Sequence, residues 1–334
     1  MSIVIIKPGI LDSIQDLGRT GQASYGINVG GAMDRFAVLV GNILVGNDVI
    51  EAVMEIHYPG PQILFEQDAL ISITGADFTA GLNDESLPSW QPILIRKNTV
   101  LQFPINKKGA RAYLAVQGGF LIDKWLNSYS TNLKAGIGGW KGRRLEKGDE
   151  LFFRQRDKCV SSLFKSENNF QILRWRPDVS KVYRDPHEIS VIKGYEWDEL
   201  TDSSKESLKQ SNFIIHPSSD RMGYQLEGHP LHLQEKKEMV SCAVSFGTIQ
   251  LLPNGRPVVL MADHQTTGGY PRIGHVISSH LPKLAQLGPS DTVQFNYVDI
   301  NEAEKQLFSQ QIEIQIWQRA CMENLNRLYA ECRS

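Results

Sequence analysis

Thr292-Val-Gln-Phe-Asn-Tyr297 alternates apolar and polar side chains, which puts Val293, Phe295 and Tyr297 on one face. A period of two marks a strand with one buried side. Ala69-Leu-Ile-Ser-Ile-Thr74 repeats the pattern with Ala69, Ile71 and Ile73. Shorter apolar segments at 3–6, 100–103, 111–116, 150–153, 170–175 and 257–261 read the same way. Gly, Pro and Asn clusters separate them, as in a barrel or a sandwich. The expected fold class is mainly β.

Helices are fewer. Over 33–44 the apolar residues fall at 33, 36, 37, 40 and 44, a helical spacing that Gly46 and Asn47 then stop. A short helix is expected within 276–287, with Pro282 starting or kinking it. From Asn301 a long helix is expected, capped by Asn301 with Glu304 three residues on. Leu307, Ile314, Trp317, Cys321, Leu325 and Leu328 form its stripe, which packs on the protein itself or on a partner. The polar stretch 154–190 reads as a boundary. The chain then divides into two β-rich halves, 1–157 and 170–300, and a helical extension, 301–334.

Composition narrows the function. With 334 residues, 41% apolar and 22% charged, the chain is globular. A net charge of −2 excludes binding of nucleic acid through bulk positive charge. The longest nearly apolar run, 36–45, is broken by Gly41 and Asn42 and spans half a bilayer, so no membrane segment is expected. The opening Met1-Ser-Ile-Val-Ile-Ile-Lys7-Pro8 turns polar too soon for a signal peptide, and a cytoplasmic location is expected. The four cysteines, Cys159, Cys242, Cys321 and Cys332, form no C-x-x-C pair and read as reduced thiols.

Four segments combine glycine with charged or amide side chains. They are Gln15-Asp-Leu-Gly-Arg19-Thr-Gly21, Gly30-Gly-Ala-Met-Asp34-Arg35, Gly136-Ile-Gly-Gly-Trp-Lys141-Gly-Arg-Arg144 and Asp263-His-Gln-Thr-Thr-Gly-Gly-Tyr-Pro-Arg272. Glycines let backbone N–H groups come close to a ligand, and the neighbouring Asp, Arg, Gln and Thr can bind a carboxylate, amide or phosphate. The plainer reading is a set of tight turns. The third segment is the most basic: Lys134, Lys141, Arg143, Arg144 and Lys147 face the one acid Glu146. It is not a Walker loop, and no G-x-G-x-x-G opens a helix after a strand. Asp220-Arg-Met-Gly-Tyr224 is a further polar turn, either a surface pair or a clamp on a small acid.

Eight histidines include no H-E-x-x-H and no Cys-His spacing, so no metal site is expected. His264, beside Asp263, reads first as a solvent-facing turn residue and second as an acid–base group. No G-x-S-x-G elbow occurs. No Met-Lys-Met occurs either, so any biotin would arrive on another chain.

In order along the chain stand Ser13-Ile-Gln-Asp-Leu-Gly-Arg19, Gly31-Ala-Met-Asp34, Leu44-Val-Gly-Asn47, Ile73-Thr-Gly-Ala-Asp77, Ala112-Tyr-Leu-Ala-Val116, Gly118-Gly119, Ser219-Asp-Arg-Met-Gly-Tyr224, Gly247-Thr-Ile-Gln250 and Met261-Ala-Asp-His-Gln-Thr-Thr-Gly-Gly-Tyr-Pro271. Together they resemble the biotin-dependent carboxyltransferase family, to which the C subunit of 5-oxoprolinase belongs. That family also takes in allophanate hydrolase subunit 2, part of urea amidolyase, and the KipA protein of bacilli. The resemblance runs from about residue 3 to 300 and leaves the terminal helix outside.

The resemblance implies two cyclophilin-like β-barrel domains. It implies an ATP-dependent opening of 5-oxo-L-proline to L-glutamate, carried out in a hetero-oligomer with a KipI-like B subunit, together with an A subunit. Mg2+ would accompany the ATP, whose site can lie wholly or partly on a partner. On that expectation Asp263, Gln265, Thr266 and Arg221 are the catalytic candidates. Arg19, Asp34, Asp220, Gly268, Gly269, Tyr270 and Arg272 are the substrate-binding candidates, and Gly138, Gly139, Lys141 and Arg143 the phosphate-binding ones. His264 occupies the variable place in the Asp-x-Gln-Thr-Thr-Gly-Gly pattern, so the resemblance gives it no role. Two other functions fit the same family: a biotin-dependent carboxyltransferase acting on urea or a similar amide, and a non-catalytic regulator that sequesters a sensor-kinase inhibitor. Prolyl isomerisation would rest on the barrel alone.

Overall fold

In a computed structural model, described over residues 2–82, 85–154, 160–235 and 239–331, the chain forms two units. The first gathers residues 1–18, 34–178 and 312–334, and the second gathers 19–33 and 179–311. These limits differ from the halves read off the sequence. Residues 19–33 count with the second unit, and the terminal helix is shared between the two. Pairing between distant segments, which no local pattern records, decides that division.

The first unit has two six-stranded sheets. One runs β11-β1-β4-β9-β6-β7, from β1 (Ser2–Lys7), β4 (Gln62–Phe65), β6 (Gly81–Leu82), β7 (Glu85–Ser86), β9 (Thr99–Gln102) and β11 (Glu150–Phe152). The other runs β12-β8-β5-β10-β3-β2, from β2 (Ser13–Gln15), β3 (Val53–His57), β5 (Ala69–Asp77), β8 (Pro92–Ile95), β10 (Lys108–Val116) and β12 (Phe170–Ile172). Ile3, Ile5, Ile63 and Phe65 of the first sheet share one core with Ile71, Ile73, Ile93 and Leu114 of the second. The β-rich architecture expected for this half takes the form of two sheets over a common core.

Helix α1 (Arg35–Leu44) covers the outer face of β5. Asp34 caps it by accepting from the Ala37 amide at 2.9 Å. Ser72 and Thr74, the polar alternates of β5, do not face water. They donate to the carbonyls of Gly41 and Ala37 in α1, at 2.7 and 2.8 Å. Burial on both faces explains why β5 reads as nearly continuous core.

The second unit contains a closed barrel ordered β13-β20-β17-β18-β15-β14-β21. Its strands are β13 (Glu188–Lys193), β14 (Phe213–Ile215), β15 (Gly223–Glu227), β17 (Thr248–Leu251), β18 (Pro257–Leu260), β20 (Arg272–Val276) and β21 (Thr292–Tyr297). A parallel pairing of β13 with β21 closes it, Ile189 opposite Phe295. The alternation over Thr292–Tyr297 holds as expected: Val293 and Phe295 are in the core with Ile189, Ile249 and Val259. A small hairpin pairs β16 (Cys242–Ala243) with β19 (Thr267–Gly268). Thr201 caps α2 (Asp202–Gln210), and Pro282 sits in the first turn of α3 (Leu281–Ala285).

The long helix α4 covers Ile300–Glu331. Its cap is Asp299, which accepts from the Glu302 amide at 2.8 Å, rather than Asn301. Cys321 and Leu325 are buried, and the Trp317 ring meets Phe36 edge-on at 6.1 Å, so this end packs within the first unit. Cys242 and Cys321 are free thiols, while Cys159 and Cys332 lie outside the described residues. Among the described residues no helix is long and apolar enough to cross a membrane.

Candidate active site

The barrel brings the polar turn Asp220–Tyr224 up against the glycine-rich segment Asp263–Arg272. Strands β15 and β18 pair antiparallel from Gly223 opposite Leu260. Beyond the strands the pairing continues, because Met261 N donates to Met222 O at 3.0 Å and Asp263 N to Arg221 O at 2.8 Å. The Asp220 carboxylate accepts from Met222 N at 2.7 Å and shapes the turn that delivers Arg221.

Arg221 then holds Asp263 at two points. Nε donates to Oδ2 at 2.8 Å and an Nη to Oδ1 at 3.1 Å. The same Nη donates to the Gly31 carbonyl at 2.6 Å. The side chains are 7% and 14% exposed, so the pair works in surroundings where charge is poorly screened.

Residues 19–33 supply the rest. Arg19 is buried in this unit, with its amide on Val29 O at 2.8 Å. Asn28 Nδ2 donates to the main-chain carbonyl of Asp263 at 3.1 Å. Gly30 has φ +61°, and a Cβ there would lie 2.9 Å from Arg19 Nη1 and 3.7 Å from Asp263 Oδ1. The missing side chain is what lets the Arg19 guanidinium lie beside this glycine.

The rest of the Asp263 segment continues into the hairpin. Gln265 is exposed and Thr266 half-buried, and the Thr266 carbonyl accepts from Val244 N at 3.1 Å. Gly268 leaves room for Gln250, since a Cβ there would collide with Gln250 Nε2. Gln250 Nε2 also donates to Tyr270 O at 3.4 Å, and the Tyr270 side chain is exposed. Gly269 lies near Ser241 Oγ, at 3.4 Å from its ideal Cβ position. His264 is not the solvent-facing turn residue expected: it is 4% exposed, with Nδ1 2.5 Å from Gln265 O. It lies near His275, whose pKa is pushed down by burial and secondarily by His264.

Other candidates are placed differently. Arg272 spends its guanidinium on Glu196, with Nε on Oε2 at 3.1 Å and an Nη on Oε1 at 2.8 Å. Burial works to raise the pKa of Glu196, and the hydrogen bonds from Arg272 overcome it and hold the carboxyl below its usual range. Asp34 lies in the first unit as the α1 cap, and its amide donates to Tyr113 Oη at 2.8 Å. Tyr113 in turn donates to buried Glu55 at 2.9 Å.

The basic glycine turn is also in the first unit. Gly138 and Gly139 have φ +71° and +54°. Arg143 makes a two-point pair with Asp149, at 2.7 and 2.8 Å. Lys141 Nζ is 4.0 Å from the same carboxylate. The basic excess counted over 134–147 is thus offset by an acid just outside that window.

The structure brings together Arg19, Arg221 and Asp263, with Gln265, Thr266, Gly268 and Gly269 following on the same segment. Sequence reasoning gave no role to Asn28, Gln250 or Glu196. Gln250 ends one of the quoted motifs, which was a usable signal; Asn28 and Glu196 carried none.

The family model for the carboxyltransferase domain, subdomain A and B, matches residues 25–297. The chain belongs to this family. Within the carboxyltransferase-domain family it is 37% identical over 294 residues to the 5-oxoprolinase C subunit of Haemophilus influenzae, covering 88% of this chain and 90% of that one. It is 34% identical to the 5-oxoprolinase C subunit of Escherichia coli, covering 92% and 94%. Among solved structures, the K. lactis urea amidolyase superposes with a TM-score of 0.84 at 26% identity. That match covers 95% of this chain but 20% of the much longer amidolyase. Helix α4 lies beyond the span of the family model.

Proposed function

We propose that this chain is the C subunit of an ATP-dependent 5-oxoprolinase, which opens 5-oxo-L-proline to L-glutamate together with its A and B subunits in the cytoplasm. The observation that carries the reading is the near end-to-end similarity to two proteins of that name, at 37% and 34% identity. The amidolyase likeness, by contrast, makes such a chain one part of a longer enzyme.

The barrel site suits a small amide that carries a carboxylate. Arg19, beside Gly30 and close to Asp263, adds the positive charge that favours a carboxylate, while Arg221 is engaged with Asp263 and Gly31. Asp263, fixed by Arg221, keeps the segment bearing Gln265 and Thr266 in place. Those two side chains can hydrogen-bond the lactam N–H and carbonyl. A lactam is stable, so its carbonyl oxygen must be activated, and phosphorylation by ATP does that.

The basic glycine turn does not fit an ATP phosphate cradle. Arg143 is engaged with Asp149 at two points, and exposed Lys141 comes no nearer than 4.0 Å to the same carboxylate. Among the described residues no group of three His, Cys, Asp or Glu could hold a metal ion. On this reading the ATP, with its Mg2+, is held wholly or partly by a partner subunit.

The test is reconstitution with the A and B subunits, followed by an assay of glutamate formed from 5-oxoproline and ATP. Glutamate that requires this chain is the expected result. Its absence overturns the reading. The amidolyase likeness supports one competitor, transfer of a carboxyl group from biotin to an amide, which would show as loss of carboxybiotin on addition of a urea-type substrate.

A further inference from the structure

We propose that Asn28 is a positioning residue, which fixes the Asp263–Arg221 pair by holding Asp263 from its main-chain side. Every polar atom of Asp263 has a partner. Its N donates to Arg221 O at 2.8 Å, and its two carboxylate oxygens accept from Arg221 at 2.8 and 3.1 Å. Its carbonyl oxygen accepts from Asn28 Nδ2 at 3.1 Å. The first three contacts all come from Arg221, so they fix Asp263 relative to Arg221 and nothing more. The contact from Asn28 comes from another segment, 235 residues away in the chain.

That segment grips both members of the pair. Asn28 holds the Asp263 carbonyl, and three residues on, the Gly31 carbonyl accepts from the Arg221 guanidinium at 2.6 Å. A carbonyl oxygen can be held only by a donor. A carboxamide has one and a carboxylate does not. Rotation of the peptide between Asp263 and His264 would swing His264 and, beyond it, Gln265 and Thr266 on the way to the hairpin. Displacements of about 1 Å in a positioned group cost up to about 100-fold in rate.

The activity arm of the test rests on the proposed 5-oxoprolinase function; a hydrogen-exchange arm does not. The full chain, assembled with the A and B subunits, is compared with Asn28→Asp and Asn28→Ala. Asn28→Asp keeps the volume but replaces the donor with a charged acceptor, and Asn28→Ala removes the donor without adding a charge, so faster exchange in both variants assigns the effect to the lost donor. The expected result is amide exchange about tenfold faster over residues 261–266 in both variants, the size of one lost hydrogen bond. With it, kcat falls about tenfold or more while KM stays within about threefold. Exchange over 261–266 at the wild-type rate in Asn28→Asp overturns the proposal. Should Asn28→Asp not fold, Asn28→Ala decides by the same readout. If the wild-type assembly forms no glutamate, the proposed function falls, and the exchange result alone settles the role of Asn28.

Discussion

Arg221 grips both carboxylate oxygens of Asp263, at 2.8 and 3.1 Å, across 42 residues of chain. Removing one member of so buried a pair strands the other. Such losses run to about 3–5 kcal/mol. Arg221→Ala and Asp263→Asn are each expected to lower the melting temperature and to abolish 5-oxoproline turnover. Arg221→Lys should rescue little, because an ammonium cannot make both bonds. Near wild-type turnover in folded Arg221→Ala and Asp263→Asn chains would show that the reaction centre lies elsewhere.

Gly30 tests the arginine on the other side. Its φ of +61° and the 2.9 Å separation from Arg19 Nη1 leave no room for a methyl group. Arg19 is 1% exposed, so its guanidinium cannot swing into solvent to make space. Gly30→Ala should therefore cost about 1–3 kcal/mol from backbone strain alone, measured by urea unfolding. Its effect on KM should exceed that of Gly21→Ala. Gly21 has a similar φ of +82° but nothing within 4 Å of its Cβ position, so it controls for strain alone.

Which parts of this molecule could be read from sequence follows from how far their partners lie. The strand Thr292–Tyr297 and helix α1 were legible because period and cap are local signals. Asp34 stood inside the helical span read from sequence and was read as a ligand candidate; the structure shows it as the cap of α1, a role that looks like a binding carboxylate in sequence. The cap at Asp299 was missed by two residues. Arg272 and Glu196 sit 76 residues apart, and the bond from Asn28 to Asp263 spans 235. Nothing local announces such pairs. The resemblance pointed to Arg221 and Asp263; only the barrel register brings them into contact.

Helix α4 offers a contrast along one element. Leu325 is 3% exposed and its Cδ1 lies 2.7 Å from the ideal Cβ position of Gly46, whose φ is +71°. Leu325→Ala should cost about 2 kcal/mol or more, as for other buried leucines. Gly46→Ala should also destabilise, through both the clash and the backbone. Phe308 and Ile312 are 60% and 58% exposed, and Phe308→Ser or Ile312→Ser should stay within about 0.5 kcal/mol. Equal effects in the two groups, by chemical denaturation, would mean that the carboxy-terminal end of α4 does not pack as described.

Two aspartates of the first unit respond to pH with opposite signs. Burial pushes the Asp12 carboxyl up to about 7, although hydrogen bonds from the Gly9 and His57 backbones pull it down. In the unfolded chain it titrates near 4. The folded protein binds that proton more tightly, so the contribution of Asp12 is full below about pH 4 and is lost as pH rises to about 7. Asp149 goes the other way. Burial raises it, but the hydrogen bonds from Arg143 and its neighbours prevail and leave it at about 2. Its contribution is present above about pH 4 and disappears as pH falls toward about 2. Asp12→Asn should therefore gain stability relative to wild type as pH rises from about 4 through about 7, because ionisation of Asp12 costs the wild type progressively more. Asp149→Asn should lose stability at neutral pH and converge with wild type in acid. Urea midpoints of the three proteins across pH measure both trends. Parallel curves for all three would exclude the burial and pairing described for these two carboxyls.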